Sequence, residues 1–111
     1  MALKTYNIDL QDYRTQGSKV FTTRPRGLEV RKNSQIDAIE PQYDKITITI
    51  PEDISSINPS FLEEFLENVV LKLGEEGFRQ KFSFINNGRY KIDTDLEEAI
   101  ERILREENAL A

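Results

Sequence analysis

The 111-residue sequence predicts one α/β domain, and three observations support that prediction. Residues 4–10 and 46–50 alternate in polarity, as half-buried strands do. An apolar periodicity of 3.6 residues marks helices over 62–73 and 96–104. Strand and helix signals also alternate along the chain, which is typical of a mixed or parallel sheet with helices packed against it.

The strands differ in how clearly they are marked. Residues 46–50 are all β-branched and alternate strictly, so they form the clearest predicted strand. Residues 4–10 form a second one, followed by a polar loop over 11–18 and a short extended piece over 19–21. The pattern of phenylalanines predicts a further strand over 78–85.

The best-marked helix begins after Asn58 and Pro59, a side-chain cap followed by a first-turn proline. Its apolar residues form one face, and its opposite face is predicted to be solvated. That opposite face carries Glu63, Glu64 and Glu67. Gly74 is expected to end the helix, with a turn over residues 75–77.

Two more helices are predicted from their start signals. A threonine cap at 22–23, followed by Pro25, begins a helix that runs to about Gln35 despite poor apolar spacing. Thr94 and Glu97 form a capping box that begins the last helix.

The organisation is that of one domain over residues 1–111. We expect a strand and helix region at 1–44 and a strand-helix-strand-helix core at 45–107. Residues 86–88 carry a turn signal. The segment 89–92 that follows fits either a returning hairpin strand or a loop.

The composition excludes several kinds of chemistry. The chain has no cysteine, which excludes disulfides and cysteine-ligated zinc. It has no histidine, the usual general base near neutral pH and the commonest metal ligand. Phosphate-binding loops and nucleophile–base signatures are missing as well. We therefore expect no enzymatic activity, no cofactor and no metal.

Charge and hydropathy narrow the choice of partners. The net charge of −5 disfavours nucleic acid, which needs clustered positive charge. Residues 1–50 hold 8 basic and 6 acidic side chains, whereas residues 51–111 hold 7 and 14. The first half is therefore at +2 and the second at −7. No apolar run is long enough to span a membrane, and residues 1–10 do not form a signal peptide, so we expect a cytoplasmic location.

The segment between the isoleucine strand and the next helix is the first candidate site. Sites in open α/β sheets gather at the carboxyl ends of strands, and helix starts favour anions. The candidate partner-binding residues are Ser55, Ser56, Asn58, Ser60, Glu63 and Glu64. Capping and turn formation alone would also explain the serines and the asparagine.

A cluster of arginines is the second candidate site. Arg24, Arg26 and Arg31 stand close together in an otherwise acidic chain and could grip a phosphate or an acidic partner. Two alternatives are a solvated helix face and pairing with the acidic second half of the same chain.

Several of these segments resemble the STAS-like domains, relatives of bacterial anti-sigma factor antagonists. The similar segments are residues 23–27 (Thr-Arg-Pro-Arg-Gly), 30–31, 46–50, 54–65, 82–86 and the terminal helix. The resemblance implies a regulatory protein-interaction module with a mixed sheet. It also implies a protein partner, with a kinase of the GHKL ATPase class as the first candidate.

The resemblance also implies a candidate switch. In the antagonists an Asp-Ser-Ser-Gly turn begins a helix and carries the phosphorylated serine. The matching residues here are Asn58, Pro59, Ser60 and Phe61. Proline stands at the position of the phosphorylated serine, and the neighbouring Ser60 is the candidate phosphoacceptor. The alternative function is a small-molecule or nucleotide-binding module that uses Arg24, Arg26 and the helix start at residues 58–60.

Overall fold

The computed structural model describes residues 3–110. Residues 1, 2 and 111 of the predicted domain lie outside the described residues. The strands are β1 (Thr5–Asp9), β2 (Val20–Phe21), β3 (Lys45–Ile50), β4 (Ser56–Ile57) and β5 (Phe82–Asn86). The helices are α1 (Arg24–Ser34), α2 (Ile36–Ile39), α3 (Pro59–Lys81) and α4 (Asp93–Leu110).

The main sheet has three parallel strands in the order β1-β3-β5, and this confirms the α/β fold class. Its register places Ile48 between Ile8 and Phe84. The two short strands β2 and β4 form a separate parallel pair, in which Val20 lies opposite Ser56. Every strand pair among the described residues is parallel, within the mixed-or-parallel expectation.

The helices cover one face of the main sheet. Right-handed crossovers between successive neighbouring strands place their helices on the same side. Ile46, Ile48 and Ile50 point toward that side and are fully buried. α3 lies in the middle of the helix layer, against α1 on one flank and α4 on the other. This central position governs the surroundings of the polar residues of α3.

The opposite face of the sheet is polar along β1 and β3. Thr47 and Thr49 lie on it half-buried, and Asn7 is exposed. The Asn7 amide donates hydrogen bonds to both threonine hydroxyls, at 2.7 and 2.8 Å. These bonds satisfy the polar groups of the strand side chains without a second layer of apolar packing.

Two predicted helix starts are confirmed. The Thr23 hydroxyl accepts the Arg26 amide at 3.2 Å and caps α1. The Asn58 side chain accepts the Ser60 amide at 2.8 Å and caps α3. The predicted end of the first helix is also confirmed, since Gln35 adopts a left-handed conformation immediately after α1.

The predicted helix end at Gly74 agrees with its non-helical backbone, but the segment after Gly74 differs from the prediction. Gly74 has a φ of +73° and kinks the helix there, but the helix resumes and continues to Lys81. The predicted turn at 75–77 and the start of a strand at Phe78 are therefore wrong. Phe78 instead stacks on Phe82 with ring centroids 4.8 Å apart, and burial of this aromatic pair favours the extra helical turns.

The start of α4 also differs from the prediction. The helix begins at Asp93, so Thr94 lies inside the first turn and is not the cap. The Leu96 amide donates to the Ile92 carbonyl at 2.8 Å, which closes that first turn. Residues 89–92 are a loop, and α4 continues to Leu110. No helix within residues 3–110 is long and apolar enough to cross a membrane.

Candidate functional site

A cleft lies at the carboxyl edge of the main sheet, where the loops after β3 and β5 meet. Its volume is about 630 Å³. The polar side chains that line it are Lys19, Glu52, Asp53, Ser55, Asn87, Arg89 and Tyr90. This is the edge at which open parallel sheets place their ligands.

An ion pair neutralises one carboxylate of the cleft. Arg14 donates two hydrogen bonds to Asp53, at 2.7 and 3.0 Å, and these bonds lower the pKa of the Asp53 carboxyl below its ordinary value. Lys19, Arg89 and Glu52 form no ion pair with any residue that the structure describes. Lys19 and Arg89 contribute two positive charges and Glu52 one negative charge, so the cleft has a net positive charge.

Two residues shape the walls of the cleft. A Cβ on Gly88 would lie 2.2 Å from the Glu52 carbonyl oxygen, so only glycine lets the two loops approach this closely. The Tyr90 hydroxyl lies 2.6 Å from an Asp95 carboxylate oxygen and 3.1 Å from the Ile57 carbonyl. Burial, and then the hydrogen bond to Asp95, raise the pKa of Tyr90, so the phenol stays protonated near neutral pH.

Four of the predicted site residues form one continuous surface beside this cleft, which we call the junction surface. Ser55, Ser56 and Asn58 are exposed, and Ser60 is half-buried in the first turn of α3. The Ser55 amide donates to the Lys19 carbonyl at 2.8 Å, which ties this surface to the cleft wall. The structure thus brings together the serines and the asparagine that the sequence singled out.

Glu63 does not belong to that surface. Its side chain is 4 % exposed, so the expectation that it lies on a solvated helix face is wrong. Arg24 contacts both of its carboxylate oxygens, at 2.9 and 3.2 Å, and Arg102 lies 3.9 Å away. The reason is tertiary, because α1 and α4 cover both flanks of α3.

The arginine cluster is paired within the chain. Arg31 lies 3.7 Å from Glu67 and 4.0 Å from Glu64, and its side chain is mostly buried. Glu64 also lies 3.6 Å from Arg24. Burial, followed by the charge of Glu64, raises the pKa of Glu67. Two arginines of the predicted anion site therefore contact the acidic second half of the chain, one of the alternatives that the sequence left open.

Arg26 has different partners. It lies 3.0 Å from Glu29, one turn further along α1, and it donates a hydrogen bond to the Tyr13 carbonyl. All three arginines are thus held by groups of the same molecule.

Sequence reasoning missed Lys19 and Arg89. The rule that sites lie at the carboxyl ends of strands points to the loops after all the strands, yet only the loop after β3 was selected. Lys19 precedes β2 and Arg89 follows β5, so only the fold brings them together. Comparisons with protein-family models, curated proteins and solved structures found no match to this chain.

Proposed function

We propose that this chain is a non-catalytic, regulatory protein-interaction module that docks a protein partner through the junction surface. The observation that supports this most is the exposure of Ser55, Ser56 and Asn58 at the carboxyl edge of the sheet. Arg24 and Arg31 could otherwise bind an acidic partner, but they are paired with Glu63 and Glu67 of the same chain. A cytoplasmic location belongs to the same proposal.

The junction surface rests on a rigid base. Phe21 packs against Phe61 beneath it, with ring centroids 5.0 Å apart, and both are buried. The main-chain N–H of Asn58 donates to the Phe21 carbonyl at 2.8 Å, which fixes the start of α3 to the β2–β4 pair. A preformed surface binds without a large cost of ordering its own loops.

The polar groups near the junction surface also favour binding over catalysis. Asp53 is engaged by Arg14, and the Tyr90 phenol is held protonated. Acid–base catalysis needs a group that can exchange a proton near the working pH and reach the substrate. Within the described residues, no group of three or more acidic side chains converges so that it could hold a metal ion.

The resemblance to STAS-like domains supports a kinase of the GHKL ATPase class as the partner and Ser60 as the switch. Ser60 is the second residue of α3, where a phosphate would meet the positive end of the helix dipole. Glu63 follows one turn later, but Arg24 already balances its charge. Phosphorylation would add about −1.5 to −2 charges to a docking surface and so disrupt an acidic contact.

Co-elution with a purified kinase of the GHKL ATPase class tests the proposal. We expect a complex on size-exclusion chromatography, and we expect Ser56→Arg to weaken it by about tenfold because a bulky cation would stand in the interface. Ser60→Asp should weaken it too. Lys32→Glu, an exposed change on α1 away from this surface, is the control and should leave the complex unchanged. A complex that survives Ser56→Arg would place the interface elsewhere.

Binding of a small anionic ligand in the cleft is the second candidate function, since Lys19 and Arg89 both line it. A ligand that binds only the folded state raises the melting temperature. We expect a thermal shift with one member of a panel of phosphate esters, and we expect Arg89→Ala to abolish it. Arg24→Ala is the matched control, since Arg24 lies outside the cleft and is paired with Glu63. If Arg24→Ala removed the thermal shift and Arg89→Ala did not, the anion would bind at the arginine cluster and not in the cleft.

A further inference from the structure

The outer edge of β5 is open. β5 pairs with β3 on one side, and no strand within the described residues pairs with its other side. Half of its main-chain N–H and C=O groups therefore face outward. Natural edge strands are usually protected by charges, prolines or bulges. Residues 82–86 contain no charged residue and no proline, and the register is continuous.

The other edge strand is protected in the expected way. β1 carries the charged Asp9 at its end. β5, by contrast, carries Ile85 with 40 % of its surface exposed, on the face of the sheet that points away from the helices. An unprotected and partly apolar edge is the feature that strand addition from another chain uses.

A groove runs beside this edge, under the start of α4. α4 packs on the flank of α3 that faces away from α1, which places α4 beyond the last strand. The space between β5 and α4 is a groove of about 330 Å³. Phe82 and Phe84 line it from the strand, and Ile92 and Leu96 line it from the side of α4. Apolar side chains of a strand added along β5 could enter this space.

We propose that this edge groove binds an extended peptide segment of a partner protein, which adds as a fourth strand along β5. Its main chain would pair with the outward groups of β5, and its alternate apolar side chains would enter the groove. Its ends would carry acidic residues, because Arg79 and Lys91 line the groove. Asp93 is the one carboxylate in the lining, and the exposed pair of Arg79 with Glu75 is weakly held.

The same charges argue against a second copy of this chain as the occupant. In an antiparallel pairing of β5 with itself, the start of one strand lies beside the end of the other. Arg79 of one copy would then approach Lys91 of the other, and like charges in an interface oppose association. A peptide with acidic ends meets the same cations favourably.

A phage-displayed library of random dodecapeptides, selected against the full chain, tests the proposal. We expect selected peptides to alternate apolar and polar residues and to carry acidic ends. The synthetic peptide should slow amide hydrogen exchange in residues 82–86. We expect Ile85→Lys to weaken its binding by about tenfold, since a charged residue on an edge strand opposes pairing.

Val20→Lys is the matched control for that variant. Val20 is also a β-branched strand residue, and it is 39 % exposed against 40 % for Ile85. It lies on β2, outside the main sheet, so its replacement should leave peptide binding unchanged. Urea unfolding of both variants checks that each is folded. Ser56→Arg should also leave peptide binding unchanged, which separates this proposal from the junction surface.

Three results would overturn the proposal. One is a selection that yields no binding peptide from the folded chain. Another is a peptide whose affinity is the same for Ile85→Lys and the unmodified chain. The third is a dimer in sedimentation experiments that Ile85→Lys dissociates, because this result would assign the edge to a second copy.

Discussion

Gly27→Ala is expected to lower the free energy of unfolding by about 2–3 kcal/mol, the upper part of the range for overpacked cores. A Cβ at this position would lie 2.4 Å from the Phe61 carbonyl oxygen and 2.9 Å from the Glu64 Cβ. The Phe61 oxygen is a main-chain atom of α3, and the Glu64 Cβ is bonded directly to that main chain. Neither atom can rotate away, so α1 would have to shift as a whole relative to α3. The gain of about 1 kcal/mol in helix propensity from alanine offsets only part of this cost. Urea unfolding measures the difference.

Gly77→Ala is the matched control for this prediction. Gly77 also lies in a helix, but a Cβ there would meet only the Leu73 side chain, at 3.3 Å. We expect a change within about 1 kcal/mol, of either sign, because propensity and mild crowding oppose each other. Equal losses in the two variants would show that the approach of α1 to α3 is not the reason.

Glu40→Gln is expected to cost about 2 kcal/mol of stability at pH 7, since hydrogen bonds to charged groups are worth about 1.5–3 kcal/mol. Glu40 is 2 % exposed, and the ammonium groups of Lys72 and Lys81 each lie 2.6 Å from one of its carboxylate oxygens. Lys72 is more than half exposed, so solvent screens its share and Lys81 provides most of the effect.

The cost of Glu40→Gln should depend on pH in one direction. Burial alone would raise the pKa of Glu40, but the two lysines outweigh burial and hold that pKa below its ordinary value of 4.5. On acidification the unfolded chain therefore takes up this proton first. The contribution of Glu40 is complete above pH 4.5 and is lost as the pH falls through the lower value of the folded state.

Urea unfolding from pH 7 down to pH 3 measures this loss as the difference in the free energy of unfolding between the unmodified chain and Glu40→Gln. This difference in the free energy of unfolding should be constant near pH 7 and should approach zero near pH 3. Glu76→Gln is the control, because Glu76 is exposed and forms no ion pair within the described residues. It should change stability by about 0.5 kcal/mol or less at every pH. A difference for Glu40→Gln that stays constant down to pH 3 would contradict the prediction.

Much of the fold could be predicted because local chemistry determines it. Threonine and asparagine caps act within three residues, and the caps at Thr23 and Asn58 are both as predicted. The isoleucine strand also follows from its own residues. The predictions failed where a local signal competed with packing. Gly74 has the conformation of a helix end, as predicted, but burial of Phe78 favours a second helical segment where a turn and a strand were predicted.

The same distinction between local chemistry and tertiary packing applies to the candidate site. The sequence by itself determined that serines and an asparagine surround the start of α3, because capping and turn formation need only neighbouring residues. Only the tertiary structure decided that Glu63 is buried, that Lys19 and Arg89 share a cleft, and that β5 has a free edge. Burial, ion pairing and strand order depend on elements far apart in the chain, and no periodicity within one segment reports which of them become neighbours.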